Sequence, residues 1–155
     1  MKIIYKIKEN TNNKNVYWLD DGSFGELNSF PYFQISLSIT FVFLLNVDKK
    51  SLRIVSVEGY FPVEAIESIK KFMFNPQVVF EGELQLDFSG SALNDDGCFM
   101  PLANQNIYYD KERQMLGIGE LENSNCICIR FGENLFAFFK DHVLCGVALK
   151  LIKNI

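Results

Sequence analysis

The sequence contains a single histidine, four prolines and no C-x-x-C pair, and each scarcity removes a class of chemistry. With only His142, mechanisms built on paired imidazoles are excluded, and a Ser-His-Asp or Cys-His arrangement would rest on a residue that follows Asp141 in a polar break between two apolar runs. The four cysteines, Cys98, Cys126, Cys128 and Cys145, have no zinc-ligand spacing. Cys126 and Cys128 are two apart, on one face of any strand and badly placed to bond each other. Arg130 shares that face and an arginine can lower a thiol pKa, but a reduced cysteine packs as a small hydrophobe, and core packing is the expected role. No glycine-rich phosphate loop is present: Gly117-Ile118-Gly119 lacks a third glycine and a following helix signal.

Long apolar runs are also missing. The longest, Ile35 to Leu45, is interrupted by Ser36, Ser38 and Thr40 and falls short of the roughly 20 residues a membrane helix needs. Residues 1–8 alternate lysine with apolar side chains and lack the h-region of a signal peptide, so the expectation is a cytosolic protein with reduced thiols and no membrane partner. Positive charge is absent over long stretches. Asn15 through Asp48 holds no Lys or Arg but carries Asp20, Asp21, Glu26 and Asp48, and Phe72 through Asp110 holds none but carries Glu81, Glu83, Asp87, Asp95, Asp96 and Asp110. With a net charge of −4, general attraction to nucleic acid or anionic lipid is not available to the chain, and a basic partner is favoured.

What the chain has is aromatic and β-branched apolar content. Its 155 residues are 48% hydrophobic and include 15 Phe and 6 Tyr, enough for one core without a staple, so residues 1–155 are expected to form a single domain. The fold class expected is mostly β (α+β): an antiparallel sheet, sandwich or partly open barrel with one helix. Alternation of period two runs from Ile35 to Leu45 and resumes at Leu52 after Asp48-Lys49-Lys50-Ser51, which predicts a hairpin. A second alternation, Val78 to Phe88, places Phe80, Leu84 and Leu86 on one face and Glu81, Glu83 and Asp87 on the other. Between them Pro62, then Val63, Ile66, Ile69 and Phe72 at three- to four-residue spacing, predict a helix over residues 62–74, ended by Asn75-Pro76. Short β-prone runs at 107–109, 115–118, 126–131, 135–139 and 143–152 read as a meander. Two matching segments, Asp20-Asp21-Gly22-Ser23-Phe24 and Asp95-Asp96-Gly97-Cys98-Phe99, read as hairpin tips, because Asp-Gly tolerates positive φ. Neither fits a calcium loop, and no metal or cofactor is expected.

A small, acidic, aromatic-rich β protein without a catalytic set resembles the immunity proteins encoded beside bacterial polymorphic and contact-dependent-inhibition toxins. The resemblance is one of general character and carries no motif. It implies a non-catalytic module that binds and neutralises a basic toxin domain, a nuclease for example. The residues read as partner-binding are the carboxylates Asp20, Asp21, Glu26, Glu81, Glu83, Asp87, Asp95 and Asp96, with Tyr17, Trp18, Phe24 and Phe99 as aromatic anchors. The alternative is a small barrel or sandwich that holds an apolar ligand or serves in an assembly.

Overall fold

Strand β8 (Val79–Asp87) is the strand on which the rest of the sheet divides. Along one edge it carries β1 (Lys2–Ile7), antiparallel, from Gly82 opposite Ile7 to Asp87 opposite Lys2. The other edge is shared. Near its start β8 pairs in parallel with β12 (Ile127–Gly132), Phe80 opposite Ile129, and further on it pairs antiparallel with β6 (Arg53–Tyr60), Leu84 opposite Ile54. Gly82 stands between these two partners. A Cβ there would meet the Lys6 carbonyl oxygen at 2.5 Å and the Ile129 side chain at 3.0 Å, so only a glycine lets β1 and β12 close in together.

The computed structural model describes residues 2–9, 17–18, 22–25, 33–39, 42–61, 70–71, 79–87, 97–110, 112–121 and 125–153. From β6 a first arm runs outward through β5 (Val42–Val47) and β4 (Phe33–Ser36) to β9 (Cys98–Phe99). The far end of β6 also holds β3 (Ser23–Gly25), followed by β2 (Tyr17–Trp18) and β15 (Ile152–Lys153). The second arm runs from β12 through β13 (Leu135–Lys140), β14 (Val143–Lys150) and β11 (Met115–Gly119) to β10 (Ile107–Asp110) and the short β7 (Lys70–Lys71). The path is open: it begins at β15 and ends at β7 without closing into a barrel. Apolar side chains of both arms meet in one core, Ile35, Leu45, Ile54, Val57 and Leu84 from the first and Ile129, Phe131, Ala137, Val147 and Leu149 from the second, all fully buried. Truncating one of the leucines, isoleucines or Phe131 among these to alanine removes about 2–5 kcal/mol from a stability of about 5–15 kcal/mol.

Local sequence explains the turns. Asp141 and His142 have φ of 50° and 64°, the two left-handed positions of a type I′ turn, which matches the twist of β13 and β14. Between β5 and β6 the Asp48 carboxylate accepts the Ser51 hydroxyl at 2.7 Å and the Ser51 and Lys50 amides, while Leu52 takes a φ of 58°. These bonds hold the Asp48 carboxyl below its ordinary 3.8, the Ser51 hydroxyl contributing most.

Several expectations from the sequence need correction. The span 62–74 does not run as one helix: Lys70 and Lys71 are extended and pair in parallel with Tyr108 and Tyr109, where they satisfy backbone groups of β10, and the remainder of that span lies outside the described residues. Among the described residues there is no helix. The run Ile35 to Leu45 is two strands, β4 and β5, folded on each other with Ile35 opposite Leu45. Its alternation survives the turn because Ile35, Leu37, Phe43 and Leu45 all face the core, whereas Ile39, at the bend, is 73% exposed. The last strands are not a simple meander, since β11 pairs with β14, not β12. Antiparallel β2 and β3 flank the first Asp-Asp-Gly segment, whose Asp20 and Asp21 lie outside the described residues, whereas in the second, Gly97 leads into β9, which lies parallel to β4.

Gly82→Ala is expected to destabilise the protein by about 1–3 kcal/mol in urea unfolding, because the atom it meets is backbone and cannot rotate away. Asp48→Asn is expected to lower the thermal midpoint at neutral pH. Because folding depresses this carboxyl, its contribution is present above its unfolded value and lost as pH falls through the folded one, so the gap between wild type and variant should close on acidification below pH 3.8.

Candidate functional site

From Gly82 onward the faces of β8 follow the predicted alternation, with Leu84 and Leu86 buried and Glu83, Gln85 and Asp87 on the opposite side, but Phe80, expected beside Leu84 and Leu86 on the core face, is 38% exposed at the start of the strand. The charge of the acidic face is not left open. Arg130 of β12 reaches Glu81 at 3.5 Å, Lys8 beyond β1 reaches Glu83 at 3.5 Å with Arg53 of β6 at 4.0 Å, and Lys2 reaches Asp87 at 4.0 Å. Cross-strand neighbours distant in sequence thus convert a run without positive charge into a mixed lattice. Asp110 is buried and held by Arg113 at 3.2 Å. Asp20, Asp21, Glu26, Asp95 and Asp96 lie outside the described residues.

The aromatic anchors divide as well. Phe24 is a core residue, 4% exposed, with its ring edge-on to Phe43 at 5.4 Å and its tip over Gly59; it is not a surface anchor. The backbone of Trp18 is placed opposite Phe24, and that of Tyr17 opposite Gly25, by the β2–β3 ladder. Phe99 is 72% exposed, in parallel register with Ser36.

Phe99 borders a face that the sequence did not single out. On the outer side of β4, β5 and β6, away from the core, Gln34, Asn46, Ser56 and Glu58 form one hydrogen-bonded group. The Asn46 amide donates to the Ser56 hydroxyl at 3.0 Å and to Glu58 Oε2 at 3.1 Å, and the Gln34 amide donates to Asn46 Oδ1 at 3.1 Å and to Glu58 Oε1. Asn46 and Ser56 are almost wholly buried, at 1% and 0% exposure, although they lie opposite the core. A register slip between Asn46 and Val47 aligns them: it sets Ser56 opposite Asn46 and Glu58 opposite Leu44. Both Glu58 oxygens therefore accept a side-chain amide. Among the described residues no Lys, Arg or His pairs with Glu58, and a carboxylate keeps acceptor capacity beyond these two bonds.

Around this group the surface is apolar. Val42 and Tyr60, directly opposite each other, are 52% and 47% exposed, and Ile39 and Phe99 stand exposed at the β4–β9 end. The base beneath them is ordered: Gln105 Oε1 accepts the Ile39 amide at 3.0 Å, and the Met100 and Leu102 amides bond to the Ser36 and Leu37 carbonyls. A fixed carboxylate inside an aromatic and aliphatic border can receive a cationic side chain and seal it from water. The sequence signal for this face was the polar residue at every second place, Gln34 and Ser36 against Ile35 and Leu37, which reads equally as an ordinary solvated side.

Three of the four cysteines are held in the thiol form. Burial pushes the Cys128 and Cys145 thiols up to about 12 and raises Cys98, so these are thiols at neutral pH, and Arg130 is engaged by Glu81. His142 is exposed at its turn and stacks on Tyr5, ring centroids 6.3 Å apart. No group of three metal-ligating side chains gathers among the described residues. No helix among them is long and apolar enough to cross a membrane. No protein-family model matches the sequence, and no curated protein matches it.

Asn46→Ala is expected to cost about 1–3 kcal/mol in equilibrium unfolding, since it strands the buried Ser56 hydroxyl and removes one donor from Glu58. An unchanged urea midpoint would show that the group contributes nothing to stability.

Proposed function

We propose that this protein is a non-catalytic binding module whose partner is a basic protein, in the manner of an immunity protein that neutralises a toxic enzyme. The observation that carries the reading is Glu58, held by Gln34 and Asn46, without a cation among the described residues, inside a border of exposed Val42, Tyr60 and Phe99. Ordered side chains on a sheet lose less entropy on binding than a flexible acidic tail, and aromatic residues around a desolvated charge form the arrangement that dominates interface energies. An enzyme that acts on nucleic acid must present a cationic groove, and a carboxylate on a rigid face competes for it and steers encounter. The β8 carboxylates Glu81, Glu83 and Asp87 are secondary in this reading, because each already has a cation beside it. Reversing them to lysine would set like charges against Lys2, Lys8, Arg53 and Arg130 and would destabilise the sheet, so such a variant cannot separate binding from folding.

The test is to establish whether an adjacent reading frame encodes a toxic enzyme domain and, with that domain in hand, to co-express the two. Wild type is expected to restore growth, and the double variant Glu58→Lys, Phe99→Ala to lose protection at least tenfold in viable count while keeping a cooperative thermal transition. If wild type gives no protection, the immunity reading fails. Full protection by a folded double variant would show that the outer face of β4–β6 is not the binding surface.

A further inference from the structure

Cys126 and Cys145 lie with their sulfurs 3.5 Å apart, although nineteen positions and the whole of β13 separate them in the chain. Strand alternation alone would not bring them together. Val147 and Leu149 face the main core, so Cys145, two places before Val147, should face it too. The β13–β14 register slips at this point: Phe138 stands opposite Gly146 and Phe139 opposite Leu144, leaving Cys145 as the extra residue of a bulge. The bulge inverts the pattern. Leu144 packs against the main core, while Cys145 joins a second apolar cluster on the other face of the arm, formed by Met115, Leu121, Cys128, Phe138 and Ala148. There its thiol donates to the Phe138 carbonyl at 3.2 Å, which places it over β13 and directs it to Cys126.

We propose that Cys126 and Cys145 are an oxidisable pair that closes to a reversible intrachain disulfide, tying the start of β12 to β14 across β13. Both residues are partly exposed, whereas Cys128, on the same face, is 1% exposed. Cys126 stands one residue ahead of the first laddered position, Ile127 opposite Phe139, so the movement of roughly 1.5 Å that a bond of about 2.05 Å requires displaces a strand end, not a ladder. The oxidant is a low-molecular-weight disulfide. The Cys126 thiolate attacks one of its sulfurs, forming a mixed disulfide and expelling one thiolate, which takes up the proton Cys126 released. Cys145 then attacks the Cys126 sulfur, and its proton leaves with the second expelled thiol. Two cysteine thiols are oxidised and one external disulfide is reduced to two thiols.

The experiment incubates the intact protein with oxidised glutathione, quenches with acid and digests with trypsin. The expected product is a disulfide between the peptides 114–130 and 141–150, with the loss of two hydrogens from the intact mass, a raised thermal midpoint, and reversal of all three by dithiothreitol. Peptide 114–130 contains Cys128 as well, so the digest is repeated on Cys128→Ser, which should keep the cross-link, and on Cys126→Ser, which should lose it. Retention of the cross-link in Cys126→Ser would assign the bond to Cys128 and overturn the pairing. Glutathione adducts on Cys98 or Cys126 without any cross-linked peptide would overturn it as well, because they would show that oxidant reached the protein and the pair did not close.

Discussion

At Gly82 the carbonyl of Lys6 and the side chain of Ile129 occupy the space in which any other residue would carry its Cβ. Everything else in the architecture depends on that close approach. With β1 on one edge, β8 offers its second edge first to β12 and then to β6, so one strand belongs to both arms and the arms share a core. Widening the contact by a methyl group would separate β1 from β8 and with it the lysines that compensate the β8 carboxylates. Steric fit at one backbone position and charge pairing across three strands are thus parts of a single arrangement.

The same sharing decides which carboxylates are free to act. In the sequence Glu81, Glu83 and Asp87 form the most conspicuous acidic run, with no basic residue near them. In space their neighbours come from β1, β6 and β12, and each of those supplies a cation. Glu58 looks unremarkable in the sequence, near Arg53 and within an apolar strand, yet it is held by two amides among the described residues and not by a cation. Charge grouping along a chain is a poor guide to charge grouping on a sheet, because strand neighbours are set by topology.

Much of the strand content was legible, since period-two burial is a local property. The 48–51 turn, the acidic and apolar faces of β8 from Gly82 onward, and the strands from residue 107 onward follow directly from alternation and turn residues. What alternation could not reveal was partnership. The even phase of Ile35, Leu37, Phe43 and Leu45 concealed a chain reversal, because both limbs of the hairpin turn the same face to the core. The three- to four-residue spacing around Lys70 and Lys71 suggested a helix where a backbone pairing with β10 prevails. The candidate site was the least legible part. Its defining residues become neighbours through a register slip that no composition or spacing announces, and of the proposed anchors with described side chains Phe99 is exposed while Phe24 belongs to the core.

The division of β8 also governs how the chain reaches this state. Its partners come from opposite directions in sequence, Lys2 to Ile7 before it and Ile127 to Gly132 well after it, and residues 152–153 return to pair beside residues 17–18. Contacts so remote from one another demand large loop closures before they yield any stabilisation, which places folding at the slow end for a domain of this size. During synthesis β8 emerges with half of one edge unfilled, and it stays so until the β12 segment has been made. An open edge is a template for another strand, so the interval between the two is when this chain is most exposed to association with its own copies and most dependent on chaperones.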